Sequence, residues 1–119
     1  MKKILWISRH QMSETQLKDL RRIAGEEIFL DQWDKTVSDI HEIMPLLRDV
    51  DIIAAVLPTD YMAELLHLAG DIPVIQSVSF RLPTGRFLTY PDGRREQEYL
   101  FEHKYWQRII SIEIKTVRL

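Results

Sequence analysis

The chain reads as an α/β protein: a Rossmann-like parallel sheet of about four strands with three helices, continued by a C-terminal antiparallel hairpin and strand. Three observations predict this. Short apolar segments alternate with amphipathic stretches that begin on helix-capping residues. Two of the apolar segments, "ILWIS" and "DIIAAVLP", are apolar at consecutive positions, as strands covered on both faces are. After residue 80 the pattern changes to a turn triplet and then to strict alternation.

Ile4 to Ser8 is the first predicted strand. Ser13 is a candidate helix N-cap, and Gln16 three residues on completes a capping box, with Glu14 suited to the positive end of the helix dipole. Leu17, Leu20 and Ala24 share one stripe, and Gly25 is a natural C-terminal cap. Ile28 to Leu30 predicts a second short strand. Thr36 or Ser38 is placed to cap a further helix with Asp39 in its first turn, and Ile40, Ile43, Met44 and Leu47 form its apolar side. Pro45 lies inside that stretch, where it removes a helical hydrogen bond, so a kink or two shorter pieces are expected between 37 and 49.

Asp51 to Pro58 predicts the third strand. Thr59 or Asp60 is placed to cap a helix with Met62, Leu65, Leu66 and Ala69 on its stripe, and Gly70 ends it. "IPVIQSVS" predicts the fourth strand. Strand–helix units in series mean parallel pairing through right-handed crossovers. Pro91-Asp92-Gly93 then predicts a hairpin turn: proline presets φ, aspartate bonds its own backbone and glycine accepts a positive φ. Its arms are expected near 86–90 and 94–101. In "IISIEIKTVRL", Ile110, Ile112 and Ile114 alternate with Ser111, Glu113 and Lys115, the pattern of a half-solvated strand. One domain, 1–119, results, with a parallel core over 1–80 and an antiparallel extension over 81–119.

Composition narrows the function classes. The 119 residues are 45% hydrophobic and 29% charged, with a formal net charge of −2. That balance predicts no steering toward duplex nucleic acid or an anionic membrane. The absence of cysteine excludes a disulfide framework and a thiol nucleophile, and agrees with a cytoplasmic location. No apolar run approaches the ~20 residues of a membrane span. Neither G-x-G-x-x-G, G-x-x-x-x-G-K-[ST], G-x-S-x-G nor H-E-x-x-H occurs, and the four histidines (10, 41, 67 and 103) lack zinc-ligand spacing. No cofactor and no metal are therefore expected. His41 and His67, on predicted helices, read as surface residues.

In open α/β sheets, ligands bind beyond the carboxyl ends of the strands. The predicted strand ends carry Ser8, Arg9 and His10; Thr59 and Asp60; and Ser77, Ser79 and Arg81. Parallel neighbours would gather these on one rim, together with the N-termini of two helices, which favour anions. Ser8, Arg9, Thr59, Asp60, Ser77, Ser79 and Arg81 are the candidate ligand-binding residues, with both arginines suited to phosphate or carboxylate. His10 is the candidate general acid or base. In "EYLFEHKYWQR", Tyr99, Phe101 and Trp106 are expected to cover the sheet or a dimer contact, since an edge strand of this kind suits strand-to-strand pairing.

"ILWISRHQMSETQLKDL" combines a first strand, a polar strand end and a capped helix, and "SVSFR" follows at the fourth strand. On these segments the chain resembles the small Rossmann-like proteins associated with type III CRISPR systems, the CARF domains and compact ring nucleases. The resemblance implies a nucleotide ligand. Three functions stay open at this point: a domain binding a nucleotide-like or phosphorylated anion, a metal-independent phosphodiesterase of ring-nuclease type, and a non-enzymatic homodimeric interaction module.

Overall fold

The computed structural model describes all 119 residues. Strand β1 (Lys2–Ile7) leads to helix α1 (Glu14–Ala24) and strand β2 (Ile28–Trp33). Two short 3-10 turns (Ile40–Glu42 and Met44–Leu47) precede β3 (Ile52–Ala55), helix α2 (Thr59–Ala69) and the long strands β4 (Val74–Thr89) and β5 (Arg95–Arg108). The five strands form one mixed sheet in the order β2-β1-β3-β4-β5. The first four are parallel, and β5 runs antiparallel to β4.

Local chemistry explains the boundaries of α1. Ser13 Oγ accepts from the Gln16 N–H at 3.1 Å, and Gln16 Oε1 accepts from the Ser13 N–H at 2.8 Å, so two otherwise orphaned donors are satisfied reciprocally. Gly25 stops the helix at φ 72°, a left-handed conformation that a side chain disfavours.

The expected third helix is not α-helical. Asp39 rather than Thr36 or Ser38 supplies the cap, accepting from the His41 N–H at 3.0 Å, and the chain then makes the two 3-10 turns with Pro45 opening the second. Proline lacks the N–H that a continuous helix needs there. The fold thus has two α-helices. Neither Thr59 nor Asp60 caps α2: its N-cap is Pro58, which offers no side-chain acceptor.

Two apolar clusters sandwich the sheet. Leu5, Ile7, Ile53, Ala55 and Val74 face α2 and the 3-10 turns. Ile4, Trp6, Ala54 and Ile75 face α1, where Leu20 and Trp106 complete the cluster. Helices lie on opposite faces because the chain adds β2 on one side of β1, then crosses over β1 to add β3 and β4 on the other. Crossovers of one hand must change face when that direction reverses.

The C-terminal third departs most from expectation. β4 does not end near residue 80. Its ladder with β5 runs from Ile75↔Arg108 to Thr89↔Arg95, with irregularities at Val78/Ser79 and Pro83/Phe87 that accommodate Pro83 without breaking the strand. The turn is as the triplet predicts: Asp92 Oδ1 accepts from the Arg94 N–H at 2.9 Å, and Gly93 has φ 85°. Beyond β5 the Ile109 N–H donates to the Val74 carbonyl, and residues 110–119 form no strand despite their alternation.

The capping box predicts a measurable loss. Ser13→Ala should lower the unfolding free energy by about 1 kcal/mol, read as a drop in urea midpoint with the slope unchanged.

Candidate functional site

β1 is the strand from which the chain departs in both directions, and a cleft opens at its carboxyl end. The cleft has a volume of about 430 Å³, within the range of small-ligand sites. Its walls are Ser8 and Arg9 after β1, Lys35 and Thr36 after β2, and Pro58 and Tyr61 around the start of α2, over an apolar floor of Ile7, Val37, Val56 and Leu57. Two cations and no carboxylate line it.

The backbone beneath the cleft is tightly held. Ser8 is buried. Its N–H donates to the Trp33 carbonyl at 3.1 Å, and its Oγ accepts from the His10 N–H at 3.1 Å. The Gln32 side-chain amide donates to the carbonyls of both Ser8 (2.9 Å) and His10 (3.0 Å), and the Trp6 indole N–H donates to the His10 carbonyl at 2.9 Å. The bend Ser8–His10 is therefore fixed from three sides, while the Arg9 and His10 side chains stay exposed. Across the cleft, the Tyr61 hydroxyl donates to the Ser38 carbonyl at 3.1 Å and ties α2 to the loop after β2. Lys35 lies 5.3 Å from the centroid of the Trp33 ring, whose indole N–H is buried without an acceptor. The first turn of α2, with no side-chain cap, leaves its N–H groups beside Pro58 at this end.

The predicted rim is only partly assembled. Ser8 and Arg9 line the cleft; His10 follows directly; Thr59 and Asp60 sit one step beyond Pro58, exposed in the first turn of α2. Ser77, Ser79 and Arg81 do not join them. They lie within the continuous β4–β5 ladder, opposite Trp106, His103 and Phe101. Ser77 Oγ is 2.6 Å from His103 Nδ1, and the Arg81 guanidinium stacks 4.5 Å over the Tyr99 ring. The cause is the length of β4: a residue inside a ladder has its direction set by the pleat and its neighbour across the strand, not by the rim.

Sequence reasoning missed Lys35, Thr36 and Tyr61. β2 extends to Trp33 rather than Leu30, so the polar residues after it form another strand end. The apolar Trp33 after Asp31 and Gln32 was the available signal that the strand continues. His41 and His67, expected at the surface, are exposed.

Also missed was a buried histidine. His103, with only 2% of its side chain exposed, sits between Ser77 of β4 and Asp19 of α1, with Nε2 2.8 Å from Asp19 Oδ2. Trp106 packs against the same ring at 5.2 Å, and its indole N–H donates to the Gln16 carbonyl at 3.1 Å. A serine, an imidazole and a carboxylate in series is the order of a nucleophilic relay. Here the imidazole has both ring nitrogens committed, to Ser77 and to Asp19, so the group acts as a staple between α1 and the β4–β5 ladder. The hydrogen bond from His103, aided by Arg22, holds the Asp19 carboxyl below the usual carboxylate range against the opposing effect of burial.

No protein-family model, curated protein or solved structure matches the chain. No helix is long and apolar enough to cross a membrane, and no three His, Cys, Asp or Glu side chains are grouped to hold a metal ion.

The staple predicts an acid-dependent stability. Because the folded Asp19 carboxyl has the lowered pKa, its contribution is complete above the ordinary aspartate value of 3.8 and is lost as pH falls below it. Urea midpoints between pH 3 and 7 should show that loss, and Asp19→Asn should lower the neutral-pH midpoint and flatten the acid limb. His103→Ala should cost about 2 kcal/mol at neutral pH by removing the link between Ser77 and Asp19 and the packing against Trp106, with Arg22 still bonded to Asp19.

Proposed function

We propose that the cleft at the end of β1 binds a small anion, nucleotide-like or phosphorylated, in a Rossmann-like cytoplasmic domain. The observation that carries this reading is the meeting of Arg9 and Lys35 with three hydroxyl side chains, Ser8, Thr36 and Tyr61, in a cleft whose lining holds no carboxylate. An anion there gains charge-assisted hydrogen bonds, with Asp34 and Asp60 adjacent in sequence but outside the lining. The uncapped first turn of α2 adds N–H groups and the positive end of a helix dipole. The apolar floor suits a base or other flat group, and four glycines in the whole chain fit recognition by side chains better than a backbone cradle. A nucleotide ligand is also what the resemblance to CARF domains and ring nucleases implies.

A phosphodiesterase reading is favoured by one observation. His10 presents an exposed imidazole next to Arg9 on a backbone fixed by Ser8, Gln32 and Trp6. With an RNA ligand the 2′-hydroxyl is itself the nucleophile, and the protein need supply only position, a proton acceptor and a cation for the developing charge. His10 would take the 2′-hydroxyl proton as that oxygen bonds to phosphorus, the bond from phosphorus to the 5′-oxygen would break with the leaving oxygen taking a proton from water, and Arg9 would face the phosphate, leaving a 2′,3′-cyclic phosphate.

A thermal-shift screen of inorganic phosphate, mononucleotides and cyclic oligoadenylates tests binding; a ligand at 100 times its dissociation constant adds about 2.7 kcal/mol. Arg9→Ala and Lys35→Ala should each weaken the ligand found by roughly 10- to 100-fold, as loss of a charge-assisted hydrogen bond does. If both variants bind as the wild type does, the cleft is not the site. His10→Ala should abolish cyclic oligoadenylate cleavage while sparing affinity if the second reading holds, and unchanged turnover refutes it.

A further inference from the structure

The β4–β5 arm has no core of its own. β3 pairs with β4 only at Val74 and Ile75, so from Gln76 onward the outer edge of β4 carries unpaired backbone groups. β5 is the last strand of the sheet, and its outer edge is unpaired as well. Both faces of the arm are apolar in part. Leu82 and Leu100 oppose each other, with Phe80 on the same face, and Phe101, 71% exposed, lies on the other opposite Arg81. Phe87 and Leu88 stand uncovered near the tip. A lone two-stranded ribbon is at best marginally stable in water, and two open edges beside exposed aromatic and aliphatic side chains are what folded proteins normally cover.

The size of the deficit indicates what covers it. The chain exposes 8833 Å². A compact monomer of its 14.2 kDa would expose about 6,800 Å². Its radius of gyration is 17.1 Å, where about 13.5 Å is usual for its length. The excess of roughly 2,000 Å² is shared between the arm and the exposed residues 110–119, and even a part of it is of the order that each partner loses in a homodimer interface. The charges discriminate between occupants. Residues 76–108 carry six bases and four acids, with Glu96, Glu98 and Glu102 interleaved between Arg95 and Lys104 along β5. Such mixing opposes a nucleic acid or an anionic membrane, which need one sign. It suits a surface that meets itself, where an isologous contact sets each residue against its counterpart's neighbours.

We propose that the β4–β5 arm is a dimerisation element whose occupant is the arm of a second copy of this chain, paired about a two-fold axis so that the open edges and the Leu82–Leu100 and Phe101 faces are buried together. The contact is built from residues remote from the cleft, so it stands or falls independently of the anion-binding reading.

Sedimentation equilibrium of the full chain, combined with hydrogen exchange of the arm amides, tests this. The wild type should sediment at twice the 14.2 kDa chain mass. Exchange over residues 79–88 and 96–104 should be slowed at high protein concentration and accelerate on dilution. The double variant Leu100→Glu/Phe101→Glu should weaken association by roughly 100-fold or more, as removal of central apolar anchors does. Arg9→Ala should leave the mass unchanged. A wild type that sediments as a single chain at every attainable concentration overturns the proposal. So does a folded double variant that stays dimeric. If the double variant does not fold, the wild-type exchange decides: arm amides whose rates ignore concentration exclude the arm from the contact.

Discussion

The double engagement of β1 is the constraint on which the rest of this molecule depends. Its two edges are bonded to β2 and β3, and both its faces are buried, from Ile4 to Ser8. A strand enclosed in this way must be apolar at consecutive positions, and its first polar residues can appear only where the pairing ends. That point is also where the two neighbouring strands are reached by connections leaving in opposite directions, so no loop fills the space between them. The cleft is thus a consequence of topology, and its chemistry follows from which residues happen to end three strands there. Ser8 is buried because it must bend the chain, while Arg9 is free because the bend has already been made by the bonds from Ser8, Gln32 and Trp6.

A second contact joins the parallel core to the arm. Trp6 and Trp106 meet edge to face at 6.1 Å, the Trp106 indole N–H bonds the backbone of α1, and His103 links Ser77 to Asp19 one turn further along the helix. Aromatic edges of this geometry add about 0.5–1.5 kcal/mol beyond the area they bury. The base of the arm is therefore tied to the core, whereas its outer half, from Phe80 to the turn, is held only by contacts within the arm, its ladder bonds and pairs such as Arg81 over Tyr99 and Thr84 with Glu98. Trp6 takes part in both arrangements: its ring holds the arm and its N–H holds the His10 carbonyl beneath the cleft.

How much of this was legible depended on whether the information was local. The capping box of α1, the stop at Gly25, the division of residues 37–49 at Pro45 and the Pro91-Asp92-Gly93 turn are decided within a few residues, and the structure has each of them. The extent of β2 and β4 was not legible in the same way. Strand length is set by the partner strand, and in "RLPTGRF" the proline and glycine suggest a terminator unless the irregular pairing between Pro83 and Phe87 is known. The candidate site suffered accordingly. Ser8 and Arg9 stand at a strand end, as expected, because the end of β1 is marked by its own composition, and Ser77, Ser79 and Arg81 lie away from the rim because the end of β4 lies elsewhere. His103 carried no signal at all, since a histidine in a polar-looking strand becomes a buried link only when a helix 84 residues earlier supplies the carboxylate.

The same dependence on partners explains the segment where sequence pattern and structure disagree most. Ile110, Ile112 and Ile114 alternate with polar residues as a paired strand would, yet only Ile112 finds the core, while Ile110 and Ile114 remain 77% and 63% exposed. Alternation records an environment with one dry side and one wet side; it does not say which chain provides the dry side. Within one copy, the sheet edge nearest this segment is already used by the bond from Ile109 to Val74. The arm presents the matching condition, with apolar rungs and open edges that this chain alone cannot cover. Two separate stretches of one sequence therefore show strand chemistry in excess of the strand partners available to it within one copy, and water takes up the backbone groups that no strand pairs.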